Sequence, residues 1–176
     1  MKYFIILIVG LLFVGCAQKQ TAKEVIKEPV KKETNAVLFQ TVKEHEASLI
    51  QEGEQKQYCV RCGMDLVKYY KTSHAVALNE KEHQYCSIHC LEEHLGTGIT
   101  VKNPRVVDVT SLELIPVMQA YYVVGSKIKG TMSRVSKYAF SAKEEAEKFQ
   151  KLNGGEIMDF SRALTKAKED FITIKK

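Results

Sequence analysis

Tryptophan is absent from these 176 residues, and so are a glycine-rich phosphate loop and any basic patch interleaved with aromatic side chains. Those absences remove the usual supports for nucleotide or nucleic-acid binding. No paired carboxylates, no Ser-His-Asp pattern and no nucleophile elbow occur either, so hydrolytic catalysis has no visible machinery. The expectation is a protein that is not an enzyme and binds no nucleic acid. Charge of one sign is also scarce: the net charge of +5 falls to +4 once the first fifteen residues, which carry only Lys2, are set aside. The remaining charges are spread along the chain, which gives little support to a polyanionic partner.

The composition, 45% apolar and 27% charged, suits a soluble chain of one domain or two small ones. Met1-Lys2 followed by the apolar run Tyr3 to Val14 reads as an export signal, since about twelve apolar residues are too few to span a bilayer. Phe13-Val14-Gly15-Cys16-Ala17 resembles the box that ends bacterial lipoprotein signals. A simple secretory signal or a stop-transfer anchor is the competing reading. Residues 1–15 would then be removed and Cys16 would carry the lipid, two or more acyl chains being needed for a stable anchor. Ala17 after that cysteine resembles outer-membrane sorting in a two-membrane bacterium, on the periplasmic side. From Ala17 to Asn35 the chain holds five lysines, three glutamates and few large apolar groups, so residues 16–36 read as a flexible tether.

The rest, 37–176, reads as an α+β domain. Leu38, Phe39, Val42, Leu49 and Ile50 predict an amphipathic helix over Val37 to Ile50, with His45 solvated. Strands are expected at His74 to Leu78, Gln84 to Cys86 and Arg105 to Val109, with a helix from Ile88 to Leu95 capped by Ser87 and ended by Gly96. The same order recurs at Tyr121 to Gly125, at Lys137 to Phe140, in a helix through Asn153 opened by the capping box Ser141-x-x-Glu144, and at Glu156 to Phe160. In that helix Ala142, Ala146, Phe149 and Leu152 share a face. A terminal helix, Ser161 to Asp170, is capped by Ser161. Two similar β-β-α-β units follow, about 57–110 and 118–170.

With Cys16 lipidated, four cysteines remain in the spacing Cys59-x2-Cys62-x23-Cys86-x3-Cys90. Two thiolates separated by two residues can turn onto one cation, and Cys86 and Cys90 share a helix face. Met64 adds a thioether, and thiolate with thioether favours Cu(I), whereas Zn(II) seldom uses methionine. Arg61, between the first two thiols, is a candidate for lowering their pKa. Three readings compete: two structural disulfides, a four-thiolate zinc site, and thioredoxin-like redox chemistry. Met132 lies in a polar loop as an incidental residue or a donor. Met118 and Met158 read as core. His89 and His94 could donate imidazole beside Cys90 but read as solvated helix-surface residues, and His74 and His83 are weaker donor candidates still.

Cys59-Val-Arg-Cys62-Gly-Met64, Tyr85-Cys86-Ser87, Ala120-Tyr-Tyr-Val-Val-Gly125, Lys129-Gly-Thr-Met132 and Gly154-Gly155, in this order behind a lipoprotein box, resemble the NosL family of nitrous oxide reductase accessory lipoproteins. The resemblance implies a Cu(I)-binding periplasmic lipoprotein that delivers copper to the copper-sulfide centre of nitrous oxide reductase, together with an ABC-transporter-type maturation complex. It also implies a fold of paired β-β-α-β units related to organomercurial lyase. Carried across, it makes Cys62, Met64 and Cys59 the leading donors, raises Met132 to a donor, and includes Cys86. Cys90 departs from the family pattern, and Tyr85-Cys86-x3-Cys90 instead resembles the metal-trafficking TRASH motif. A general copper-handling lipoprotein and a docking lipoprotein stabilised by disulfides or zinc are the alternatives.

Overall fold

Alternation in His74-Ala-Val-Ala-Leu78, followed by Asn79 and Glu80 with φ of 51° and 63°, turns one segment back on itself. Strands β1 (His74–Leu78) and β2 (Lys81–Tyr85) pair antiparallel through this two-residue turn, whose two positive φ values match the twist of the flanking strands. The computed structural model describes residues 38–174, all within the unit Ala36–Lys176. The expected signal peptide, Cys16 and the tether lie outside the described residues. Among the described residues no helix is long and apolar enough to cross a membrane.

Helix α1 (Ile88–Leu95) leads to β3 (Lys102–Val107), which pairs with the free edge of β1 and carries β4 (Leu114–Pro116) on its own outer edge. The first sheet is therefore ordered β2-β1-β3-β4. In the second half β5 (Tyr121–Val124), β6 (Lys137–Phe140), α2 (Lys143–Asn153) and β7 (Glu156–Met158) form a sheet ordered β6-β5-β7, antiparallel throughout. Each half is β-β-α-β with its first strand in the middle, so the expected α+β fold of two like units is present. Both central strands are buried on both faces, at His74, Ala75 and Val76 and at Tyr122, Val123 and Val124, which is why they read as runs rather than strict alternations.

The terminal helix α3 (Phe160–Ile174) packs on α1 and β5. Ala163 and Ala167, one turn apart and fully buried, put only methyl groups in that contact. They join Ile88, Val106, Tyr122, Val124 and Met158 in one core. Phe160 touches this core and also a second one, formed by Leu66, Val76, Tyr85, Leu91 and three of the cysteines. Asp108 fastens the halves together: its carboxylate accepts from the Ser141 hydroxyl at 2.9 Å and from Ser111 at 2.7 Å. Beside it, Asp108 and Ala139 form a parallel bridge.

Several expectations are corrected. Of the helix predicted over Val37 to Ile50, the described part contains a single 3-10 turn at Glu44–Glu46. Its backbone donors go to tertiary acceptors instead: Ser48 N–H to the Tyr70 hydroxyl at 2.9 Å and Ile50 N–H to Gln84 Oε1 at 3.2 Å. Phe39 leaves the segment to meet Tyr138 edge-on at 5.2 Å. The capping box at Ser141 does not form, because Asp108 takes the Ser141 hydroxyl, and the cap residue is Ala142. Leu152 is 67% exposed on α2, and Met118 is 76% exposed rather than core, while Met158 is buried. The strand expected to reach Phe160 ends at Met158 because Asp159 starts α3, its carboxylate accepting from Arg162 N–H at 2.9 Å, and Asp159 replaces Ser161 as cap. Ser87 holds the cap position of α1, but its hydroxyl makes no cap bond.

Candidate metal centre

Residues 58–65 form a tight loop closed by an antiparallel bridge between Tyr58 and Asp65. Inside it Cys59 N–H donates to Met64 O and Gly63 N–H to Cys59 O, both at 2.9 Å. Gly63 has φ of 72°, a conformation that glycine adopts without a Cβ clash. The loop is tied to the sheet by Val60 N–H donating to Gln84 O. Behind it, Gln51 directs one amide to the carbonyls of Gln55, Lys56 and Tyr58, while its carbonyl accepts from Gln84 N–H. Cys59 is thereby held at the base, 3% exposed, and Cys62 stands exposed at the tip.

Cys86 follows the last residue of β2 and Cys90 sits in the first turn of α1, both fully buried. The corner brings them under the loop. Cys62 Sγ lies 3.4 Å from Cys86 Sγ, and Cys86 Sγ lies 3.8 Å from Cys90 Sγ and 3.9 Å from Met64 Sδ. All four Sγ atoms fall within 4.8 Å of one another. A tetrahedral four-thiolate ion with bonds of about 2.3 Å spaces its sulfurs about 3.8 Å apart, so the donor set fits one soft ion without rebuilding the backbone. All four are free thiols, which departs from the two-disulfide reading. The Cys59-x-x-Cys62 pair lies in a loop before β1 and not at a helix start, unlike a thioredoxin-type motif. Among the described residues no other set of three or more His, Cys, Asp or Glu donors converges in this way.

Hydrogen bonds order the thiols. The Cys59 pKa is driven far below its ordinary value by its coupling to the Cys86 and then the Cys90 side chains, with the backbone of Cys62 and Cys86 acting in the same direction and burial opposing. Coupling to Cys59 pushes Cys86 and Cys90 well up, with burial acting in the same direction. Arg61 is not the cause: it pairs with Glu93 at 3.1 Å on the surface.

The histidines stand apart from the sulfurs. His94 Nδ1 meets the Tyr85 hydroxyl at 2.9 Å, whose own pKa is pushed up to about 12 by burial and then by the Cys59 charge. His89 is buried, contrary to the solvated reading, since it faces α3 and not water. Lys137 Nζ donates to His89 Nε2 at 3.3 Å, to Val135 O at 3.0 Å and to Asp170 Oδ2 at 2.5 Å. Burial and then Lys137 hold His89 near 4, so it is neutral. His74 is buried as well, between Thr72 O and the Tyr122 hydroxyl, each at 3.1 Å.

Met132 is 40% exposed with φ of 66°. Its neighbour Thr131 is buried, and Thr72 Oγ1 contacts both Thr131 Oγ1 and Cys86 O at 2.8 Å. The Met132 loop is thus linked to the backbone of a candidate ligand. Neither that link nor the Gln51 clamp carries a sequence signal, because single hydroxyl and amide residues follow no period. Beside the sulfurs an open groove of about 640 Å³ runs from Gln51 past Tyr58, Cys59, Val60 and Gly63 to Glu80–His83.

The NosL family model matches residues 50–167 of this chain. None of the curated proteins compared matches it. Among solved structures, the chain is similar to the copper chaperone NosL from Shewanella denitrificans, at 25% identity and a TM-score of 0.51, covering 63% of this chain and 92% of that one.

Proposed function

This chain belongs to the NosL family, and from that premise we propose that it is a Cu(I) chaperone, the ion being cargo bound by sulfur and released to a partner. The observation that carries this reading is the convergence of four thiol sulfurs within 4.8 Å, with the Met64 thioether 3.9 Å from Cys86. Thiolate together with thioether favours Cu(I). No bond in a substrate is made or broken, and copper leaves in the oxidation state in which it arrived. Loading displaces thiol protons, so copper binding releases acid and weakens as pH falls.

The destination we propose is the copper-sulfide centre of nitrous oxide reductase, reached together with an ABC-type maturation complex. Lipid on Cys16 would hold the protein at the periplasmic face of a membrane, the outer one in a two-membrane bacterium, with residues 16–36 as tether. Met132 joins the donor set in this reading. A second reading has its own support: four thiolates are also a complete ligand set for structural Zn(II), in a lipoprotein that docks on the membrane complex.

The test is reduced, anaerobically purified protein titrated with Cu(I) and with Zn(II) against chelators, followed by transfer to copper-free nitrous oxide reductase. Copper held tightly and passed to the reductase supports the chaperone. Zinc retained while copper is refused would favour the structural site. Copper that is bound but given equally to unrelated acceptors would mark a general copper-handling protein.

A further inference from the structure

Three of the four sulfurs are built in and one is not. Cys59 is 3% exposed at the loop base, where its N–H donates to Met64 O and its carbonyl accepts from Gly63 N–H. Cys86 is fully buried, and its carbonyl is fixed by the Thr72 hydroxyl at 2.8 Å. Cys90 is 1% exposed and belongs to α1, which lies under α3. Withdrawing any of these from an ion means opening the β2–α1 corner or the loop base. Cys62 differs in position: it is exposed at the loop tip, between Val60, which is 42% exposed, and the left-handed Gly63. Its sulfur reaches the others by facing inward at 3.4 Å from Cys86. Rotation about its side-chain bonds removes that sulfur from the cluster with no backbone movement.

Resting on the copper reading above, we infer that Cys62 is the handover ligand, the donor that leaves the ion first and whose place the acceptor's donor takes. In the exchange the bond between copper and Cys62 Sγ breaks and one between copper and the incoming sulfur forms. Copper stays Cu(I), no electron moves, and the proton that the incoming thiol gives up passes to the released Cys62 sulfur. The buried thiolates keep the ion throughout, so an intermediate shared between protein and acceptor precedes release. Entry is from the solvent side of the Val60–Gly63 turn, because the opposite side is closed by β2 and α1.

The experiment uses the full-length protein loaded with one equivalent of Cu(I) and challenged with reduced glutathione as acceptor. It is then pulsed with iodoacetamide and read by intact and peptide mass. The expected product is a chain alkylated once, at Cys62, that still holds its copper. First alkylation at Cys59, Cys86 or Cys90, or modification of all four together with loss of metal, overturns the inference while leaving copper binding intact. Failure of the wild type to bind Cu(I) at all is a separate result, and it removes the copper reading itself. As a second arm, Cys62→Ser should still bind one Cu(I), with affinity lowered about tenfold, whereas Cys59→Ser should lose a hundredfold or more, on the order of twice the free-energy change. Equal losses in the two variants count against Cys62, and since the alkylation arm uses only wild-type protein, a misfolded Cys59→Ser does not affect it.

Discussion

Acidification should destabilise this domain through His74, and the size of the effect follows from its surroundings. The ring is 1% exposed, with Nδ1–H donating to Thr72 O and Nε2 accepting from the Tyr122 hydroxyl. Both positions are committed in the neutral form, and burial holds the pKa down at about 3 against 6.5 for a free imidazole. The unfolded chain therefore takes up a proton as pH falls through 6.5, and the folded chain does so only near 3. Stability from this group is fully present above pH 6.5 and declines below it, by about 1.4 kcal/mol per pH unit. Between pH 7 and 5 the loss is about 2 kcal/mol. His89, held near 4, adds a loss of similar size, and together they take a large part of the 5–15 kcal/mol typical of a domain. Urea unfolding of metal-free, reduced protein at pH 7, 6 and 5 measures this. The His74→Gln variant starts weaker at pH 7, because a flexible amide replaces the fixed ring between Thr72 O and the Tyr122 hydroxyl, but its stability should fall with acid about half as steeply. A variant with the wild-type slope would show that His74 is not the titrating group.

Met64→Ala should weaken Cu(I) more than Zn(II) in chelator competition, because a thioether contributes to the softer ion; equal losses would remove Met64 from the donor set. Gly155→Ala should destabilise by about 1–3 kcal/mol in thermal or urea unfolding, since φ is 97° and a Cβ there would meet Val124 O at 2.7 Å. Lys137→Met should cost about 3 kcal/mol or more by stranding Asp170 beside His89, and unfolding within about 0.5 kcal/mol of wild type would contradict the buried pair.

What could be read in advance was whatever local pattern decided. His74 to Leu78, Lys137 to Phe140 and Ile88 to Leu95 occur where expected, because apolar period and flanking turn residues agree there. The segment before residue 50 misled because its apolar residues go to separate places, so a helical period arises without a helix. Ser141 failed as a cap because its partner is Asp108, 33 positions earlier. Met118 lies in an apolar run yet is exposed beyond β4. The sulfur site was legible because cysteines at such density have few uses. That His89 is buried against Lys137 and Asp170 was not, because α3 supplies the third member from the far end of the chain.

The seal formed by α3 over α1 has a consequence for biogenesis. Cys59 to Cys90 leave the ribosome and any export channel well before Phe160 and the two small alanines that close over the helix bearing Cys90. Until Phe160–Ile174 arrives, the sulfur half is a chain of open thiols with an unfinished floor. A chain lacking α3 should therefore be more open to wrong pairing and premature metal capture than the complete fold. Loss of the final helix should then show as mixed disulfides and heterogeneous metal content rather than as simple instability.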